Sequence, residues 1–283
     1  MGEIFAMVEG EFGKVIVIEL HHDLVPQAHS QIQLTYWLGG GHCKGCVGDA
    51  SFVLNSTMAA GVNRYQAHDI TLVHQAEPVV LLLLCVEEQW FDANITVQGE
   101  PIAFRSAQLE VSDQMKANAY TLMKKTLFAA QADYSDMKDC IKKMLQLTVD
   151  SNHQAIHRYS IRLRRKMLDY RLRLALNHLR ANMTQAELIN SLAKTVNLSR
   201  SRLYELFKTE LQSSPKLIHN SVLIETAIQN MRIPEVDLSV ISSKLGFSTA
   251  SNFSRFFRNH KGVAPSAYRK KLCVSAPYES TKA

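Results

Sequence analysis

The side chains best suited to chemistry are the thiols and imidazole of His42-Cys43-x-x-Cys46. Two cysteines at this spacing are half of a zinc site or one redox pair, and His42, His29 or His68 would complete the ligands if the fold brought them close. The competing reading is two cysteines in a glycine-rich turn, because Gly39-Gly40-Gly41, Gly45 and Gly48-Asp49 surround them and no second Cys-x-x-Cys follows. Cys85 and Cys140 sit in apolar runs and read as core. The sequence therefore points to no metal and no other cofactor. Five cysteines, an odd number scattered over 283 residues, fit a reducing compartment such as the cytoplasm.

Charge divides the chain in two. Residues 1–157 carry ten Lys+Arg against eighteen Asp+Glu, a net of −8, and residues 158–283 carry twenty-two against eight, a net of +14. A module of that basicity attracts phosphate, with nucleic acid and an acidic membrane surface as candidate partners. No apolar run approaches the ~20 residues of a membrane span. The N-terminus carries Glu3, Glu9 and Glu11 where a secretory signal would carry lysine.

Two kinds of element position these groups. Val15 to Leu20, Ile32 to Leu38, Phe52 to Leu54, Ile70 to Val73 and Val79 to Val86 are short apolar runs rich in Val, Ile and aromatics, which predict strands of a barrel or sandwich. Beyond Pro101 the spacing turns helical. Met137, Cys140, Ile141, Met144 and Leu145 form one stripe and Met115, Ala119, Leu122 and Met123 another; both predict packing on the strands, with a two-helix dimer seam as the sharper alternative. The polar stretch from Asp150 to Tyr159 is the expected linker, and from about Ile161 onward the pattern is helical throughout.

One helical outline occurs twice. Leu188, Leu192, Ala193, Val196 and Leu198, then Leu203, Leu206 and Phe207, describe two short amphipathic helices about a turn at Asn197, with Ser199 as the N-cap of the second. About fifty residues later Leu238, Ile241, Ser242, Leu245 and Phe247 repeat the first helix, Gly246 replaces Asn197, and Phe253, Phe256 and Phe257 anchor the second. Between the copies, Pro215 opens a helix expected to run to about Met231. At ~1.5 Å per residue it is a rod of ~25 Å, able to hold two helices in groove segments about one duplex turn, ~34 Å, apart.

The C-terminal region resembles the AraC/XylS family of bacterial transcription regulators. The residues that carry the likeness are Gly246-Phe247, the run Asn252-Phe253-Ser254-Arg255-Phe256-Phe257-Arg258, and the run from Gly262 to Arg269. The first copy matches through Leu198 to Leu203, Leu206-Phe207-Lys208 and Ser214-Pro215, so the resemblance spans roughly residues 169–271. It implies seven helices with the second helix of each unit in the major groove. By position, DNA would then meet Arg200, Ser201, Arg202, Tyr204, Glu205 and Lys208 in the first unit, and Thr249, Ala250, Ser251, Ser254, Arg255 and Arg258 in the second. Arg suits guanine and Glu suits cytosine, although Arg255 could equally clamp a phosphate. Two positions depart from the family: Gln212 stands where glycine is usual, and Leu223 where the linker helix usually has Arg.

The resemblance also implies a cupin-like barrel for the strand-rich half, serving effector binding or dimerisation. Gln27 stands where an enzymatic cupin would place a metal-binding histidine, so a catalytic metal centre is not expected. The expected effector pocket has a polar lining drawn from His29, Gln31, Gln33, Tyr36, Asn63, Arg64, Tyr65 and His68, with Arg64 suited to a carboxylate. Period-two geometry requires half of these to point outward.

The expected architecture is a multidomain α and β chain. Residues 1–101 form a cupin-like β-barrel, 102–157 a helical segment and linker with a dimerisation role, 158–274 the tandem helix-turn-helix domain, and 275–283 a tail. The expected function is sequence-specific transcription regulation of double-stranded promoter DNA, activating by family resemblance, with RNA polymerase and a second copy of the chain as further partners and no membrane partner. It is not expected to be an enzyme. The alternatives are a DNA-tethered, metal-dependent cupin enzyme and an architectural DNA-binding protein without a ligand.

Overall fold

The computed structural model describes residues 2–74, 77–97, 100–129, 134–158, 170–181 and 188–272. The 275–283 tail and the start of the helical half, 159–169, lie outside the described residues.

The N-terminal half is built from antiparallel strands. Strands β1 (Glu3–Gly10), β2 (Gly13–Leu20), β4 (Ile32–Gly40), β7 (Met58–Val62), β9 (Val79–Val86) and β12 (Gln108–Glu110) form a six-stranded sheet in the order β1-β2-β9-β4-β7-β12. A second sheet, β3-β8-β5-β6, joins β3 (Leu24–Gln27), β5 (Cys43–Val47), β6 (Ala50–Leu54) and β8 (His68–Leu72). The expected barrel is thus two packed sheets, with no closed ring among the described strands.

The central strands explain their own composition. β2 and β9 pair from Gly13↔Val86 to Leu20↔Val79 and are covered on both faces, which is why they read as continuous apolar runs. Alternate residues go to different cores. Ile16, Ile18, Val79 and Leu81 face the second sheet, whereas Val15, Val17, Leu82 and Leu84 face the opposite way, with Ile32, Leu34 and Tyr36 of β4.

That opposite face is covered by helices α2 (Asp113–Leu127) and α3 (Tyr134–Ser151), which follow the short α1 (Glu88–Asn94). Met115, Ala119, Leu122, Met137, Ile141, Met144 and Leu145 are buried against the sheet. Both stripes therefore pack on the chain's own strands. The strands also run past the expected boundary at residue 101: β11 (Glu100–Phe104) pairs with β10 (Thr96–Val97) and with β13 (Ile156–Arg158), and β12 joins the main sheet through β7. These late strands are short and lack a long apolar run, so periodicity alone does not reveal them.

The C-terminal half is helical: α4 (Tyr170–Ala181), α5 (Leu188–Thr195), α6 (Arg200–Leu211), α7 (Pro215–Met231), α8 (Leu238–Lys244), α9 (Ala250–Lys261) and α10 (Pro265–Leu272). α7 is the expected rod, opened by Pro215 at its first turn and capped by Ser214. The two helical pairs have different cores. Leu172, Leu176, Leu179, Leu192, Leu203 and Phe207 form one of their own, whereas Ile241, Leu245, Phe253, Phe257 and Tyr268 belong to the same cluster as Ile16, Ile18 and Leu81 of the sheet.

Candidate nucleic-acid interface

Both helical pairs are built by the same local bonds. In the first, Asn197 takes a left-handed φ of 52°, its N–H donates to the Lys194 carbonyl, and the Leu198 N–H reaches back to Ala193. In the second, Gly246 has φ 80°, and the corresponding bonds run from Gly246 to Ser243 and from Phe247 to Ser242. These satisfy the last carbonyls of each first helix and turn the chain sharply. Ser199 then caps α6 by accepting from the Arg202 N–H, and Thr249 caps α9 by accepting from the Asn252 N–H. The extra residue of the second copy lies between turn and cap, so the two second helices start alike.

Each second helix buries one face and exposes another. On α6, Leu203, Phe207 and Leu211 are buried, while Arg200, Ser201, Arg202, Tyr204, Glu205 and Lys208 are exposed. Arg202 and Glu205 pair with each other at 2.7 Å; both are well exposed, so the pair is weak. On α9, Phe253 and Phe257 are buried, Thr249, Ala250, Ser251 and Arg255 are exposed, and Ser254 and Arg258 are half-buried. The Arg255 guanidinium donates to Asn252 Oδ1 at 3.1 Å, and the Asn252 amide donates to Ser248 Oγ at 2.8 Å. Asn252 thus positions Arg255, a role that spacing does not reveal.

A cavity of about 60 Å³ lies between the sheets and the second helical pair. Its walls include Ile16, Ile18, Leu24 and Ile70 from the strands and Ile224 and Ile228 from α7. Lys14 on β2, Lys261 at the end of α9, His260, Tyr268 and Glu225 supply polar groups. Burial, and then the like charge of Lys14, lower the Lys261 ammonium to about 8. Burial also depresses His260 and holds Tyr268 above the usual phenol range. Lys14 is tied to Glu9 at 3.8 Å, and Glu9 also holds Arg232 just beyond α7. Lys261, with the Glu9-paired Lys14 beside it, faces apolar walls and is suited to an anion with a hydrophobic body, while Glu225 in the same lining offsets part of that charge.

Residues 192–271 match a helix-turn-helix domain family. Residues of this chain are 33% identical over 101 positions to the raffinose operon transcriptional regulatory protein RafR of Pediococcus pentosaceus, covering 36% of each chain. The C-terminal region carries a helix-turn-helix domain. The chain spans about a third of the length of the curated relatives it matches. Its whole fold is similar to the crystal structure of unsaturated fatty acid-bound ToxT from Vibrio cholerae strain SCE256, with a TM-score of 0.57, 14% identity and coverage of 98% of this chain and 97% of that one. ToxT from Vibrio cholerae O395 bound to (E)-4-(8-methylnaphthalen-1-yl)but-3-enoic acid gives a TM-score of 0.52 at 13% identity, covering 96% and 98%. The strand half, the α7 rod and the helix-turn-helix domain therefore share one architecture with ToxT.

The structure distributes the expected pocket residues unevenly. His29, Gln31 and Gln33 line the cavity beside the second helical pair, as does Gln27, where the resemblance to cupins would put a histidine. Tyr36 lies on the other face of β4, where its hydroxyl meets Thr148 of α3 at 2.7 Å, because an even-numbered residue of that strand cannot share a face with Gln33. Arg64 is buried and ion-paired with Glu88 and Asp92, which withdraws it from any carboxylate effector. Asn63 exchanges hydrogen bonds with Phe104, and Tyr65 packs at the rim of the first helical core. The His68 ring stands edge-on to His29 at 4.8 Å, behind the wall. Lys14 and Lys261 escaped the sequence reading because they come from opposite ends of the chain.

The thiols are separated by the same alternation. Cys43 and Cys46 lie on strand β5 and not in a turn, and an odd spacing sends their side chains to opposite faces. Cys43 is fully buried, and burial pushes its thiol up to about 12. The two sulfurs cannot close on one metal. Among the described residues no helix is long and apolar enough to cross a membrane.

Proposed function

We propose that this chain is a sequence-specific DNA-binding transcription regulator, activating in keeping with its AraC-type domain, whose hold on DNA answers to an anionic small molecule. The reading rests on one observation: two recognition helices, started by equivalent caps, each present an exposed polar face on a domain of strong positive charge. Arg200, Arg202 and Arg255 supply bidentate donors and Glu205 an acceptor, and Lys208 supplies a phosphate contact. The role is regulatory and not catalytic. Promoter DNA is the primary partner, RNA polymerase and a second copy of the chain are further partners, and the cytoplasm is the place of action.

The cavity supports an effector that is a carboxylate with an apolar body. Lys14 and Lys261 supply the charge and the isoleucines the walls. ToxT has been crystallised with two such acids, an unsaturated fatty acid and a naphthalenyl butenoic acid. At about 60 Å³ the space takes a head group or a compact acid, and a longer chain must part β2 from α7.

Selection of bound genomic fragments, followed by affinity measurements on the recovered duplex, tests the DNA reading. Arg200→Ala, Arg202→Ala and Arg255→Ala should each lose about 1–3 kcal/mol of discrimination against a changed base, with little effect on random DNA. Unaltered discrimination in all three would refute the assigned faces.

A further inference from the structure

The two helix-turn-helix units are held to the N-terminal half in different ways. The second shares its core with the sheets, and α9 and α10 lie along β3 and β1. The first has a separate core that takes Ala28 from the strand half and has Tyr65 at its rim. Among the described residues, none of α4, α5 and α6 packs broadly along a strand.

Among the described residues, hydrogen bonds from the strand half to α4 and α6 come from the loop Asn63–Ala67. The Tyr65 hydroxyl accepts from the Arg180 guanidinium on α4 at 2.7 Å. The Gln66 side-chain amide donates to Gln212 Oε1, and the Ala67 N–H donates to the Gln212 carbonyl at 3.2 Å. Gln212 is the C-cap of α6, the first recognition helix, at the position where the sequence departs from the usual glycine. The loop is itself anchored, through Asn63 to Phe104 and through the Tyr65 N–H to the His29 carbonyl at 2.7 Å. Three non-glycine residues among those described have positive φ; Asn197 makes the motif's turn, and the other two, Tyr65 at 59° and Gln212 at 50°, belong to this one contact. A Cβ disfavours that region, so both residues are held there by their surroundings. Glycine at 212 would relieve the backbone but remove the group that Gln66 holds.

We infer that Asn63–Ala67 is a latch: the N-terminal half and the second helix-turn-helix unit form one body, and the first unit is released from it when the loop lets go of Gln212 and Arg180. The cavity has a route to the latch, because His29 lines the cavity and its carbonyl carries Tyr65. That last step rests on the effector reading; the latch does not.

Hydrogen exchange on the full chain, with neither ligand nor DNA, tests the latch and so fails or succeeds separately from the effector. The double variant Tyr65→Phe with Gln66→Ala alters only the loop and leaves the DNA-binding domain intact. Amides of α4 to α6 should exchange about tenfold faster, the effect of removing the two modest hydrogen bonds that cross the contact together with the Asn63–Gln66 bonding that shapes the loop, while those of α8 to α10 stay as they were. Unchanged exchange in α6, or an equal rise in α9, would overturn the inference. Should the double variant not fold, Gln66→Ala alone decides between the same two outcomes, with a smaller rise expected.

Discussion

Raising the pH through 8 should loosen the cavity's hold on carboxylates before it affects the fold. Lys261 is lowered to about 8 by burial and by Lys14, so it is about nine-tenths ammonium at pH 7 and about one-tenth at pH 9. Burial works against the charge of Lys14 too, but Tyr268 and Glu9 carry it above the ordinary lysine range, and it stays charged. A charge-assisted hydrogen bond contributes about 1.5–3 kcal/mol, roughly ten- to a hundredfold in Kd. A free carboxylic acid is ionised across this range, so the change must come from the protein. Calorimetry with phenylbutyrate should therefore show affinity falling about tenfold or more between pH 7.5 and 9.5, with proton uptake on binding near pH 8. Lys261→Gln should bind weakly and show no such slope. The folded chain binds fewer protons at Lys261 than the unfolded chain between about 8 and 10.5, so this group adds stability as pH rises there, and lost binding cannot be blamed on it. An affinity that stays flat from pH 7.5 to 9.5 in the unaltered protein, or a Lys261→Gln variant that keeps the slope, would refute the assignment of Lys261 as the anion's partner.

Other consequences follow from the caps and cores. Ser199→Ala and Thr249→Ala should each cost about 1 kcal/mol in urea unfolding, and Thr249→Ala should weaken DNA binding further because it frees Asn252, which holds Arg255. Phe257→Ala should cost about 3–5 kcal/mol and, measured by hydrogen exchange, loosen β2 and β9 together with α9, since all three contribute to one core. Phe207→Ala should cost a similar amount, but the loosening should stay within α4 to α7. Loosening of the sheet by Phe207→Ala would contradict the separation of the two cores.

The recognition module was legible because its signals are local. A small turn residue, a cap two or three positions on and apolar anchors at helical spacing are written within about twenty residues, and Asn197, Ser199, Gly246 and the phenylalanines take the roles their chemistry favours. Other features depended on partners distant in sequence. β11, β12 and β13 are strands only because edges were free to pair with them, and Asn252 is recognised as a positioning residue only once Arg255 and Ser248 are seen beside it.

From sequence alone came the opposite charges of the two halves, the repeated helix-turn-helix outline, the rod between its copies and the apolar faces that its helices bury; helical and strand periodicity are properties of neighbouring residues. Tertiary structure decided which odd-numbered residues of β4 face a cavity, that Arg64 is occupied by Glu88, that Cys43 and Cys46 look in opposite directions, and that Lys14 meets Lys261. It also placed Gln212, where the sequence departs from the usual glycine, in hydrogen bonds with Gln66 and Ala67 of the strand half. The physical reason is the same each time: a strand's two faces are equivalent until something packs on one of them, and a side chain's partner is chosen by the folded chain and not by its neighbours in sequence.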